Sequence, residues 1–351
     1  MTTHSLQGTN VSLSIMFTGI RLSAIIIPSA IQNSNRSIMK CRSFQLISFM
    51  LLLSQAVVSA QGKTPRGTLF AKVQTANNQF VDAFLKENID KLVTFYTADA
   101  VCMPDYQSSM KGVGAIKEYY QQIFGRMQVT SFSKKTMETI SIRNNVIEIG
   151  TFSLSYSGET TNPAVTLNGK YFNIWTLQQN GLLKLKAESY GYFHAVENPK
   201  ILVAKTTSTS DENSAKPKTK ATSNLHFELD ALNTLMEKSV RTRDGNLRAD
   251  FFTHDAIFMP FADSMKTGMV KIRNHLLEYN SGNVIIDSIS IYNTYVEDLG
   301  SFVIEYPRFY VKWRYAENSG TGQGKGIRLW KRGADCSLKL YREIGLHDHV
   351  E

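Results

Sequence analysis

The chain has 351 residues, with 39 Lys and Arg against 30 Asp and Glu for a formal charge of +9, and 42% of the residues are hydrophobic. That balance is close to a globular average and excludes wholesale disorder and a polytopic membrane protein, and three cysteines are too few for a disulfide scaffold. The length allows about two domains, and the positive charge raises nucleic-acid binding as a class to be tested.

In chain order, the first recognisable element is a leader. Residues 39–60 carry Lys40 and Arg42, then an apolar run from Phe44 to Val58, then the small residues Val58-Ser59-Ala60. These are the three parts of a secretory signal peptide, with an apolar stretch too short for a membrane span. The reading is a leader over residues 1–60 with the true start at Met39, cleavage before Gln61, and a secreted or periplasmic product. Arg21, Arg36, Lys40 and Arg42 would leave with it.

The stripe Leu69, Val73, Ala76, Phe80 and Phe84 then predicts an amphipathic helix. A short apolar strand follows in Phe95-Tyr-Thr-Ala-Asp-Ala-Val-Cys-Met-Pro104, then a helix over about 112–124 with Ile116, Tyr119, Tyr120 and Ile123 on one side. Strands are predicted over 146–156, 169–178 and 183–193, the last two joined by the Asn180-Gly181 hairpin turn. Helices first and an antiparallel sheet afterwards make an α+β domain over residues 61–199.

Residues 200–224 are rich in Thr, Ser, Lys and Ala and read as a flexible linker. Its lysines and the leader hold much of the positive charge, so no folded face concentrates it and nucleic acid is not an expected partner. The frame then repeats over 225–351. Phe251-Phe-Thr-His-Asp-Ala-Ile-Phe-Met-Pro260 lies 156 residues after its first copy, and Leu225, Leu229, Leu232, Met236 and Val240 repeat the helical stripe. Trp175, Lys184, Leu185 and Glu188 match Trp330, Lys339, Leu340 and Glu343 at an offset of 155.

The helix, the two strand motifs, and "GKYFNIWTLQQNGLLKLKAES" with "GKGIRLWKRGADCSLKLYRE" resemble tandem SnoaL-like domains of the nuclear transport factor 2-like superfamily, relatives of ketosteroid isomerase and polyketide cyclases. The resemblance implies two cone-shaped α+β barrels, each with N-terminal helices packed on a curved antiparallel sheet around a pocket. It also implies pairing through the outer sheet faces, here within one chain, and leaves a homo-oligomer open.

In isomerase relatives the general base is an Asp before the strand-ending Pro, where this chain has Met103 and Met259. Asp105 follows Pro104, but its counterpart is Phe261. Glu188 and Glu343 lie where relatives carry a cavity acid, and a carboxylate there could act as general base or acid. Strict alternation would put Lys184, Lys186 and Glu188 on one face, which favours an outer surface. The catalytic candidates are therefore Glu188 and Asp105. The pocket-lining candidates are Met103, Tyr119, Tyr171, Trp175, Met259, Trp330 and Glu343; the tryptophans could equally be core. His275 and Gly326 stand where the first copy has Tyr119 and Tyr171, so the second pocket differs or is closed. No metal-ligand spacing, phosphate loop or dinucleotide fingerprint is present, and no metal or cofactor is expected. The expected function is binding of a small, largely apolar molecule or a protein partner without turnover. The alternative is a cofactor-independent isomerase, dehydratase or cyclase working by proton transfer in the first pocket.

Overall fold

The computed structural model describes residues 66–158, 161–205 and 221–348. The leader, the proposed start and cleavage site, and most of the linker lie outside the described residues.

The first copy runs α1 (Arg66–Leu85), α2 (Ile89–Val93), β1 (Tyr96–Pro104), β2 (Met110–Lys111), α3 (Val113–Phe124), β3 (Gln128–Ile142), β4 (Asn145–Gly158), β5 (Thr161–Leu177) and β6 (Leu183–Tyr192). The second repeats it as α4 (Asn224–Arg241), α5 (Gly245–Ala249), β7 (Phe252–Met259), β8 (Lys266–Thr267), α6 (Met269–Asn280), β9 (Ile285–Asp298), β10 (Phe302–Tyr315), β11 (Asn318–Arg332) and β12 (Leu338–His347). Local chemistry repeats too. The Asn88 and Asp244 side chains cap α2 and α5, each accepting a backbone N–H three residues on. Gly112 and Gly268 enter α3 and α6 at φ of 86° and 83°, a conformation that favours glycine.

Each copy folds as an α+β cone around a six-stranded sheet, with orders β2-β1-β6-β5-β4-β3 and β8-β7-β12-β11-β10-β9. The sheets are mixed rather than antiparallel: β1 pairs parallel with β6, and β7 with β12. A parallel pair needs a long connection, and the helices and the whole meander between the two strands supply it. The long β3 was not foreseen, since its sequence QVTSFSKKTMETISI carries few apolar residues. The linker begins later than expected. A 3-10 turn at Pro199–Leu202 buries Leu202, and Ala204 donates its backbone N–H to Gln107, so the chain stays on the first domain through Lys205.

Three buried clusters form. One fills the first cone around Phe80, Phe84, Tyr120 and Trp175, and another fills the second around Leu229, Met236, Phe258 and Trp330. The third draws on both sheets, joining Met103, Ile147, Ile149, Phe172 and Ile174 to Met259, Ile304, Ile327, Leu329 and Ile344. At its margin Arg342 makes a bidentate contact with Glu138 (2.6 and 2.7 Å), and Lys186 pairs with Glu297 at 2.8 Å. Both sheets are therefore covered on both faces, by helices within the cone and by the other sheet outside it.

Candidate functional site

Inside the first cone, β3, β4, β5 and β6 present side chains to the helices. Glu188 is buried, not exposed on the outer surface as its flanking lysines suggested. The reason is an irregularity in the β5–β6 register between Trp175↔Leu185 and Ile174↔Ala187. The extra residue, Lys186, reverses the alternation. Leu183 and Leu185 face the cone before it, Ala187 joins the inter-sheet cluster, and Glu188 turns inward after it.

One carboxylate oxygen of Glu188, Oε2, accepts a hydrogen bond from the Tyr96 hydroxyl, another from Tyr120 at 3.2 Å, and the Cys102 thiol at 3.7 Å. Burial, with Glu188 next, pushes Tyr96, Tyr120 and Cys102 well above their ordinary pKa values, so all three remain protonated donors. The other oxygen, Oε1, faces Lys134 Nζ at 3.9 Å. The Lys134 side chain is only 3% exposed. Its ammonium lies 4.5 Å from the Tyr171 ring centroid and 5.0 Å from that of Phe80. Beside them the Tyr119 and Tyr190 hydroxyls share a hydrogen bond of 2.8 Å.

Lys134 and Glu188 border a cavity of about 50 Å³, whose other walls include Phe80, Phe84, Phe132 and Tyr171. A wider, half-open cleft of about 940 Å³ lies against it, bordered by β3, β4, β5 and the segment after β6. Lys134, Phe152 and Tyr192 line both spaces.

Deeper in the cone sits Glu148, fully buried. It accepts hydrogen bonds from Asn77 (2.6 Å), Thr136 (2.7 Å), Tyr171 (2.7 Å), Trp175 (2.7 Å) and Asn173 (3.2 Å). Five donors compensate the desolvation of one carboxylate, which makes this a structural anchor with no free lone pair. Trp175 is thereby core, tied to Glu148 rather than flooring the cavity.

The second cone reuses the frame with different contents. Glu305 takes the place of Glu148, accepting from Trp330 at 2.6 Å and Asn233 at 2.9 Å. Glu343, the counterpart of Glu188, is held by Arg328 at 2.7 Å and by Arg248 at 3.2 Å. Burial alone would raise Glu343, but the two guanidinium groups outweigh it and hold the carboxyl below its usual range. Arg328 also bonds Asn233. Where the first cone has Tyr96, Tyr120 and Asn173, this one has Phe252, Leu276 and Arg328. Arginines thus fill the centre, and Trp330 and Glu343 belong to that packed network rather than to a pocket wall.

Three further sequence candidates are corrected. Met103 and Met259 belong to the inter-sheet cluster, because their strands turn that side chain to the outer face. Asp105 does not border the cavity. It accepts the backbone N–H groups of Tyr192 and His347, and so lies where the two copies meet. Burial raises its pKa to about 6, partly offset by Lys170 and Lys325. Lys170 donates to the Tyr192 carbonyl at 2.5 Å, and burial lowers it to about 8. Lys325 and Arg308 pair with Asp348 at 2.5 and 2.7 Å. Among the described residues no group of three His, Cys, Asp or Glu could hold a metal ion, and no helix is long and apolar enough to cross a membrane.

Sequence reasoning missed Lys134, Tyr96, Tyr120, Cys102 and Glu148. A signal for Glu148 was available, since Val146-Ile-Glu-Ile and Val303-Ile-Glu-Tyr repeat an acid inside an apolar strand, and Asn77 repeats as Asn233. Nothing comparable marks Lys134, whose counterpart in the second copy is apolar.

No protein-family model matches the sequence, and no curated protein does. Solved structures similar to this one include a ketosteroid isomerase-like protein from Erwinia carotovora atroseptica, at 13% identity and TM-score 0.33, covering 36% of this chain and 96% of that one. A nuclear transport factor 2-like protein from Cytophaga hutchinsonii is 11% identical with TM-score 0.31, covering 37% and 100%. A protein of that family from Streptomyces avermitilis, provisionally called a dehydratase, is 18% identical with TM-score 0.33, covering 38% and 100%. Each match spans about one copy.

Proposed function

We propose that the first cone binds a small, largely apolar molecule without turnover, and that the second cone is its structural support. The observation that carries this reading is the contrast in contents. The first cone keeps an aromatic cavity with one ammonium and one carboxylate on its wall, whereas the second fills the same region with an Arg–Glu network. Aromatic walls with few polar groups are the common make-up of small-molecule sites. At about 50 Å³ the inner cavity holds one polar group or a water or two, so the ligand's body lies in the adjoining cleft.

A second reading is proton transfer by Glu188, favoured by its burial beside two tyrosine hydroxyls. Mass spectrometry of the protein under native conditions tests the first reading, with a small organic molecule expected to co-purify at one per chain. Returned to ligand-free protein, that molecule should come back unchanged. Conversion by wild type but not by Glu188→Gln would replace binding with catalysis.

Export belongs to the same proposal. It is supported by residues 39–60, and Edman sequencing of the released protein should begin at Gln61. We also propose that the two copies act as each other's partner across the shared cluster, so that small-angle scattering should give one compact particle.

A further inference from the structure

We propose that the ligand of the first cone carries a hydroxyl group on an aromatic frame, a phenol or aryl alcohol, read jointly by Lys134 and Glu188. This rests on the small-molecule reading of that cone.

The polar inventory selects the group. Glu188 Oε2 is occupied by Tyr96, Tyr120 and Cys102, but Oε1 accepts no hydrogen bond from any described residue. Lys134 Nζ likewise donates none to a described residue, and its contacts are two ring faces and Oε1 at 3.9 Å. That separation is too long for a direct hydrogen bond and suits one intervening oxygen. An oxygen about 2.8 Å from each would subtend an angle near 90°, an ordinary arrangement for an atom that accepts one bond and donates another. The ammonium can only donate and the carboxylate can only accept, so the bridging group must do both.

Water and a hydroxyl satisfy that rule. A ligand carboxylate would meet Glu188 with like charge, and a ligand ammonium would meet Lys134. An ether or hydrocarbon would leave Oε1 and two or three N–H donors desolvated without partners, the costly outcome for buried polar atoms. The surroundings supply the rest of the specificity. Phe152, Tyr156, Tyr192 and Phe193 border the adjoining cleft and offer ring faces and edges to an aromatic body. The second cone carries no such pair, because an isoleucine, Ile291, stands at the place of Lys134 and Glu343 is already bonded to two arginines.

The experiment is a fluorescence titration of the whole protein with three probes of one shape: 2-naphthol, 2-methoxynaphthalene and 2-naphthoate. The expected result is 2-naphthol bound about tenfold or more tightly than either of the others, as for a hydrogen bond to charged partners. Lys134→Met should erase the preference by weakening 2-naphthol about tenfold while changing 2-methoxynaphthalene less than threefold. Lys134→Gln, which keeps a donor, should restore part of it. Near-ultraviolet circular dichroism confirms that each variant is folded, and a purely structural lysine would weaken all three probes alike. Equal binding of the three probes to wild type overturns the hydroxyl assignment and leaves the binding reading standing. Preference for 2-naphthoate overturns it in favour of an anion site. Binding of none at millimolar concentration overturns both.

Discussion

The two cones of this chain are close to a controlled experiment in how one frame can be filled two ways. Each has a Trp N–H and an Asn amide directed at a buried glutamate in the second strand of its meander, Glu148 in one and Glu305 in the other. They part at the next acid. In the first cone Glu188 is surrounded by neutral donors and a lysine standing 3.9 Å away, which leaves space and an unmatched acceptor. In the second, Glu343 has two arginines in contact, whose long planar side chains occupy the volume that the first cone leaves open. The difference teaches that a site is made here by what is withheld: the neutral donors around Glu188 all fall on one of its oxygens, whereas the guanidinium groups of Arg248 and Arg328 engage both oxygens of Glu343 and pack the core.

Replacing Arg328 by Asn, the residue at the matching place in the first copy, should break the second cone most severely. It removes the main partner of Glu343 and a neighbour of Glu305, and the loss of one member of a buried ionic network costs about 3–5 kcal/mol. Urea unfolding would measure it; a loss under 1 kcal/mol would mean that the network does not hold the second cone together.

The buried lysines Lys170 and Lys325 sharpen the comparison through pH. Lys325 has Asp348 at 2.5 Å, whereas Lys170 donates to the Tyr192 carbonyl and is lowered to about 8 by burial, with Asp105 working against that. Because its folded pKa lies below its unfolded value, the unfolded chain binds more protons between about pH 8 and 10.5. Stability should therefore rise with pH across that window, by on the order of 3 kcal/mol relative to Lys170→Met. Denaturation at pH 7, 8.5 and 10 checks it, and parallel curves for the two proteins would refute it.

Elsewhere the halves should behave alike. A side chain at Gly169 would run into the Gly191 carbonyl and the Phe152 ring, and one at Gly324 into the Leu346 carbonyl and the Phe309 ring. Gly169→Ala and Gly324→Ala should each cost about 1–3 kcal/mol by overpacking, and calorimetry would detect a lower Tm for both. The smallest effect belongs to the margin between the sheets. Glu138→Gln weakens a partly exposed pair with Arg342 and should cost about 1 kcal/mol or less, most visible at low salt.

Much of this was legible in the sequence. The repeated motif around Pro104 and Pro260, the helical stripes and the Asn180-Gly181 turn give the two α+β domains and most elements. Facing was harder to read. Because each sheet is buried on both sides, alternation offers no polar face to orient it, and Met103 reads as well for pocket as for interface. One bulged residue, Lys186, then inverts the phase at Glu188, an event visible only in the register. Lys134 was hidden for another reason. A lysine in a polar stretch reads as solvated, and only the ring faces of Phe80 and Tyr171 explain its burial.

The central claim is that one cone is a site and the other is not. A crystal structure of the protein soaked with 2-naphthol tests it most directly. The account predicts one molecule per chain, its ring in the first cone and its hydroxyl between Lys134 Nζ and Glu188 Oε1. A molecule in the second cone, or in neither cone at saturating probe, would contradict it.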